Sequence, residues 1–123
     1  MANRRQILLV GSEAFAQCAA ALLESCEDVE TLHTPHVTIE LFLSQWRPDC
    51  AIINCDDVKQ EPLAEIQELS RCRPKITIVL VSSRHVSQLA ASAVSAILFP
   101  SEMHPMLAPL VTSLFKEASH CSA

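Results

Sequence analysis

The sequence predicts a three-layer α/β sandwich around a parallel sheet. Four short runs rich in Ile, Val and Leu occur at 6–10, 50–54, 75–81 and 95–99. They are apolar at both alternating sets of positions, which is typical of parallel strands covered on both faces. Segments with helical spacing separate them, so strand and helix alternate five times. The 123 residues suffice for one domain and are too few for two.

The individual elements follow from these patterns. A weaker run, "DVETLHT" at 28–34, has the mixed polarity of an edge strand. The predicted strands lie near 6–10, 29–33, 50–54, 76–81 and 96–99. The predicted helices lie at 12–26, 36–46, 62–72, 85–94 and within 101–119. Ser12 is suited to cap the first helix, and Glu13 in its first turn favours the helix dipole.

Two prolines predict an irregular last helix. Pro105 is compatible with a first helical turn, whereas Pro109 would remove a backbone hydrogen bond from the helix interior. We therefore expect the helix either to begin late, near Pro105 to Met106, or to kink before Pro109.

Composition excludes several classes of function. The net charge is −5 without a basic block, so no direct contact with nucleic acid is expected. No apolar run approaches about 18 residues, and the apolar stretch near the N-terminus is too short for a signal peptide. These features predict a cytoplasmic protein. Gly11 is the sole glycine, so the sequence contains no glycine-rich nucleotide loop.

The cysteines and histidines do not form a metal-binding pattern. The six cysteines stand at 18, 26, 50, 55, 72 and 121, without a C-x-x-C pair. Most are expected to act as small apolar side chains. Cys55 is the exception, because it follows a strand and could be exposed and redox-active. The histidines are dispersed, so we expect no metal and no cofactor.

Four motifs carry a resemblance to a known family. They are "ILLVGSE", "WRPDCAIINCDD", "ITIVLVSS" and "SAILFPSE". Together they resemble the first, third, fourth and fifth strand ends of the response-regulator receiver domains, over about residues 6 to 118. The resemblance implies a flavodoxin-like fold with strand order 2-1-3-4-5 and five helices. It also implies either a stand-alone domain over 1–123 or the N-terminal domain of a larger regulator.

The resemblance also implies that the phosphorylation site is degenerate. Receivers bind Mg²⁺ with two acids after the first strand, accept the phosphoryl group on an Asp after the third, and contact it with a hydroxyl and a Lys. The positions that match these roles, together with the polar residue that follows the two acids, are Gly11, Ser12, Glu13, Asn54, Ser82 and Phe99. Ala96 stands where the family has an aromatic switch residue.

The chemistry of these replacements predicts a pseudo-receiver. An Asn amide is a poor nucleophile, and Gly11 offers no ligand to Mg²⁺. Once the acids are absent, a Lys at 99 would lack its counter-charge, and Phe99 is expected to bury apolar surface in its place. Asp56 and Asp57 are expected to be solvated loop residues and not a substitute metal site.

Two classes of function remain open. The first is a phosphorylation-independent signalling module in a two-component-type or transcription-regulatory protein, acting by homodimerisation or partner binding and not as an enzyme. Its contact face would lie on the fourth predicted helix, the fifth strand and the last helix, with His85, Ala96, Pro109 and Thr112. The alternative is a small flavodoxin-like ligand-binding or thiol redox-sensing domain that uses Cys55.

Overall fold

The computed structural model describes residues 5–38, 47–57 and 62–121, with side chains up to Lys116. The strands are β1 (Arg5–Val10), β2 (Val29–Thr34), β3 (Cys50–Asn54), β4 (Thr77–Val81) and β5 (Ala96–Leu98). The α-helices of the described ranges are α1 (Glu13–Leu23), α2 (Pro62–Cys72), α3 (Gln88–Ser92) and α4 (Met103–Cys121). A 3₁₀ turn, Pro100–Glu102, leads into α4.

The five strands form one parallel sheet in the order β2-β1-β3-β4-β5. This confirms the predicted flavodoxin-like fold and its strand order. The predicted helix at 36–46 lies mostly outside the described residues, and its first three residues, 36–38, are not helical.

Alternate residues of the central strands build two separate cores. Ile7, Ile52 and Val79 pack with α1 and α4 on one face of the sheet. Leu8, Ile53 and Leu80 pack with α2 and α3 on the other. All six side chains are fully buried. Since successive strand residues point to opposite faces, an apolar run on both alternations is what a strand between two helix layers requires.

The edge strand β5 departs from this pattern. It has three residues and pairs with β4 alone. Leu98 is buried against the core that contains α1, whereas Ile97 points to the other face and is 41% exposed. The expectation that all four apolar strands are covered on both faces is therefore wrong for β5.

The helix ends agree with the sequence signals to within a few residues. The Ser12 hydroxyl accepts a hydrogen bond from the Phe15 amide at 3.2 Å, which confirms the predicted N-cap. Helix α1 ends at Leu23, three residues before the predicted limit. Helix α3 is half the predicted length, because it begins only after the N-cap Ser87, whose hydroxyl accepts from the Ala90 amide, and ends before the C-cap Ala93.

The last helix is longer than expected. It begins at Met103 and continues through Pro109 to Cys121, so the prediction of a late start near Pro105 is wrong. Pro105 lies in the first turn, where its missing amide hydrogen costs nothing. Pro109 leaves the Pro105 carbonyl without its usual helical donor. Burial of Leu107 and Val111 on the same side of the helix offsets that loss.

None of the described helices is both long enough and apolar enough to cross a membrane.

Candidate functional site

The carboxyl ends of β1, β3 and β4 meet at one edge of the sheet. The parallel register places Val10 beside Ile53 and Asn54 beside Val81, so the residues that follow these strands share one surface. In open α/β folds this edge is where ligands bind. The side chains found there hydrogen-bond to each other.

Asp57 is the centre of the first hydrogen-bonded group. Its Oδ2 atom accepts a hydrogen bond from the Ser12 amide at 2.9 Å and another from the Asn54 Nδ2 at 2.8 Å. The Asp57 amide donates to the Asn54 carbonyl at 3.1 Å, which closes a turn and brings the carboxylate back over the strand end. The hydrogen bond from the Ser12 amide is the main reason that the pKa of Asp57 is lowered, and the Asn54 amide adds to it.

Gly11 is the residue against which this group closes. Its φ is +154°, and a Cβ at this position would lie 2.9 Å from Phe15 Cδ2 and 3.0 Å from Asp57 Oδ2. It would also lie 3.2 Å from the Asn54 Cβ. A side chain at residue 11 would therefore require Phe15 or Asp57 to shift, and the positive φ would add backbone strain. The position that would carry a metal-binding acid in a receiver is closed by a carboxylate from the neighbouring loop.

Asp56 makes a second link across the edge. Its Oδ1 atom accepts hydrogen bonds from the Ser83 amide at 3.2 Å and the Ser83 hydroxyl at 3.0 Å. The Asp56 amide donates to Asn54 Oδ1 at 3.3 Å. Both aspartates therefore have protein partners. Both remain exposed in the turn after β3, as predicted for solvated loop residues, and each also accepts hydrogen bonds from residues that follow neighbouring strands.

The Ser82 hydroxyl is engaged locally. Ser82 is 4% exposed, and its Oγ donates to the Arg84 carbonyl at 2.9 Å and accepts from the Arg84 amide at 3.1 Å. The hydroxyl thus shapes the turn after β4. Glu13, the remaining acid of the predicted set, is exposed at the start of α1.

Phe99 is not buried, which corrects the prediction that it refills the pocket as core. Its side chain is 58% exposed, and its backbone amide donates to Glu102 Oε1 at 2.8 Å. The reason is strand alternation: Leu98 points to the core, so its neighbours Ile97 and Phe99 point the other way, beyond the short α3. They line a cleft of about 380 Å³, the β5 cleft, formed by Ser82, Ser83, Arg84, His85, Val86, Ala91, Ile97 and Phe99.

The structure places the four residues predicted for an interaction face in different surroundings. His85 is exposed and lines the β5 cleft, whereas Ala96 is half-buried against the core on the opposite face of the sheet. Pro109 is exposed on α4. The Thr112 hydroxyl donates to the Ala108 carbonyl at 2.9 Å and lies 3.8 Å from Cys26 Sγ, on the flank of α4 nearest α1.

Sequence reasoning missed the exposed apolar side chains of this region. Leu89 on α3 is 70% exposed, and Met106 on α4 is 46% exposed. Met106 lies about 120° around the helix from Thr112, away from α1. Sequence periodicity gave no signal for this exposure, because the run "SAILF" at 95–99 is as apolar as the central strands. The Asp57 contact had no sequence signal beyond its distance of three residues from Asn54.

The thiols are poorly suited to redox chemistry at this edge. Burial, together with the charge of Asp56, raises the pKa of Cys55 to about 11, so the thiol stays protonated at neutral pH. Cys50 is buried, as predicted for a small apolar side chain, whereas Cys18 is exposed. Within the described ranges, no three His, Cys, Asp or Glu side chains are placed to hold a metal ion.

Comparison with solved structures identifies the fold as that of response-regulator receiver domains. A response regulator from Thermotoga maritima superimposes with a TM-score of 0.76 at 13% identity, covering 92% of this chain and 98% of that one. A CheY-like receiver domain from Methylobacillus flagellatus gives 0.72 at 19% identity, covering 91% and 98%. A pilus assembly-related protein of Burkholderia pseudomallei gives 0.71 at 20% identity, covering 89% and 87%. Neither the protein-family models nor the curated proteins include a match to this chain.

Proposed function

We propose that this chain is a phosphorylation-independent pseudo-receiver that acts through protein contact in a two-component-type or transcription-regulatory protein. One observation carries the proposal. The edge of the sheet where a receiver binds Mg²⁺ and accepts a phosphoryl group holds Asn54 and an inward-turned Asp57, bridged at 2.8 Å. The carboxylate at this edge is already bound by the protein, and the residue at the strand end is an amide.

The charge balance of the site supports the same conclusion. Phosphoryl transfer needs cations that offset the charge of the phosphate and a nucleophile with a reactive oxygen. Asp56 and Asp57 add negative charge, Phe99 supplies no cation, and Asn54 is neutral. An incoming phosphoryl group would meet two carboxylates without a compensating lysine at this position.

A module without this trigger needs a contact surface that is always present. A ligand shifts a conformational equilibrium only through different affinities for its two states, and an amide at Asn54 would not accept the phosphoryl group that supplies this difference in receivers. The β5 cleft and the neighbouring Leu89 offer exposed apolar surface next to an edge strand. Exposed apolar side chains grouped in this way are typical of protein-binding surfaces. The proposed partner surface therefore combines α3, β5 and the Met106 side of α4, with His85 and Pro109 retained and Thr112 omitted.

Light scattering across a concentration series tests the surface. If the occupant is a second copy, the apparent mass of the wild type should rise toward twice the 13.5 kDa of one chain. Ala91→Arg, inside the β5 cleft, should hold the chain monomeric. Ala21→Arg is the matched control, because Ala21 is exposed on α1, on the opposite face of the sheet.

A wild type that stays monomeric at every concentration rejects the homodimer. If the occupant is instead a different protein, Ala91→Arg should abolish signalling output in cells, whereas Ala21→Arg should leave it unchanged. Equal effects of the two variants would reject the β5 cleft as the contact surface.

A further inference from the structure

A second pocket lies at the opposite, amino edge of the sheet. It has a volume of about 480 Å³ and is lined by residues that precede or begin three strands, by the last residue of α2 and by one residue of α4. The side chains that matter here are Arg5, Asp49, Arg73, Lys75, Ile76 and Phe115, which we call the amino-edge pocket. The volume is in the usual range for small-molecule sites, roughly 300–1,000 Å³.

The lining of this pocket includes three cationic side chains, Arg5, Arg73 and Lys75, and the carboxylate of Asp49. That carboxylate is structural: Asp49 Oδ2 accepts from the Gln6 amide at 3.0 Å, and its Oδ1 lies 3.8 Å from Arg73 Nη2. In the part of the chain that the structure describes, Lys75 makes no ion pair, and its side chain is exposed. Lys75 therefore brings to the pocket a positive charge without an ion-pair partner among the described residues, in a chain whose net charge is −5.

The general preference for cations near the carboxyl ends of helices does not explain why all three cationic side chains line this pocket. That effect favours a cation in or just after the last turn of a helix, as with Arg73 after α2. Arg5 comes from β1, far along the chain, and is brought in by stacking over the Phe115 ring at 4.6 Å.

The pocket also has an apolar floor. Ile76 and Phe115 are half-buried, and both line the same space as the three cations. A site that joins guanidinium and ammonium donors to an apolar wall is complementary to an anion attached to an apolar body. Guanidinium groups match the paired oxygens of phosphate, and lysine adds a point charge.

We propose that the amino-edge pocket binds a small organic phosphate with a flat apolar body, of the size of a nucleoside monophosphate. The phosphate contacts Lys75 and Arg73, and the body packs over Ile76 beside Arg5 and Phe115. This site is independent of the partner surface at β5 and of the closed phosphorylation site.

The test is a titration of the uniformly ¹⁵N-labelled chain, followed by the amide shifts of Cys72, Arg73 and the residues 75–77. Three probes separate the contributions: adenosine 5′-monophosphate, adenosine without the phosphate, and inorganic phosphate without the body. We expect saturable shifts with the monophosphate, none with adenosine, and binding at least several-fold weaker with inorganic phosphate.

Two charge-matched variants locate the site. Lys75→Gln should weaken binding of the monophosphate roughly tenfold, as expected for loss of one charge-assisted contact. Arg84→Gln removes the same charge at the opposite edge of the sheet and should leave binding unchanged. No saturable shift with the monophosphate at millimolar concentration would overturn the proposal. So would equal binding of adenosine, equal binding of inorganic phosphate, or equal weakening by the two variants.

Discussion

Replacing Asn54 by aspartate probes the closed site directly. It restores the acid that a receiver has at this strand end, next to the carboxylate of Asp57 that already lies there. In the wild type the Asn54 Nδ2 donates to Asp57 Oδ2 at 2.8 Å. In Asn54→Asp two carboxylates would face each other at that distance. Their repulsion in water is roughly 1.5 kcal/mol at 2.8 Å, and the lost hydrogen bond adds about 1 kcal/mol. Because both groups are near solvent, we expect a total loss of about 2 kcal/mol in the free energy of unfolding.

Urea denaturation at pH 7 measures this loss, and a double variant isolates its cause. Asn54→Asp combined with Asp57→Asn exchanges donor and acceptor, so it should recover most of the stability. Asn54→Ala loses the hydrogen bond without adding a charge and should cost about half as much. At pH 4 the penalty of Asn54→Asp should shrink, because one carboxylate of such a pair takes up a proton.

The reasoning is refuted if Asn54→Asp is as stable as the wild type. It is also refuted if the double variant is no more stable than Asn54→Asp. Either result would mean that the Asn54–Asp57 contact does not hold this edge of the sheet together.

Three further predictions test other parts of the structure. Gly11→Ala should destabilise the chain by about 2 kcal/mol or more, because its Cβ would meet Phe15 and Asp57; unchanged stability in urea would contradict the close packing. Pro109→Ala should raise the unfolding free energy by about 1–2 kcal/mol, because it supplies the missing helical donor; a loss of stability would contradict this. Burial raises the pKa of Cys50 from 9.0 to about 12. The wild type should therefore keep its full stability below pH 9 and lose up to about 4 kcal/mol as the pH rises toward 12. The variant Cys50→Ala should lack most of that slope, and an equal slope in both would exclude Cys50 as its source.

The fold could be predicted because the residue pattern of each central strand indicates burial on both faces. In β1, β3 and β4 both alternating sets of side chains are apolar, and the structure buries both. Hydrophobic burial on two faces leaves little choice but a parallel sheet between helices. The edge strand β5 looks the same in sequence, but its position at the end of the sheet exposes Ile97, and sequence periodicity does not report which strand is at an edge.

The sequence was enough to predict which residues occupy the degenerate site, but not which contacts their side chains make. The absence of acids at 11 and 54 follows from the sequence alone. The backbone of the turn after β3 decides the direction of the two aspartate side chains. It directs Asp56 to Ser83 and Asp57 to Ser12. The exposure of Phe99 likewise depends on the register of β5, in which Leu98 takes the position that faces the core.

Intact-mass analysis after incubation with Mg²⁺ and a small phosphodonor tests the central claim most directly. The account predicts an unchanged mass for the wild type, since Asn54 does not accept the phosphoryl group and both neighbouring carboxylates have protein donors. A stoichiometric phosphoryl adduct on Asp56 or Asp57 would contradict it, because the trigger chemistry would then have moved within the site and the contact surface would be under its control.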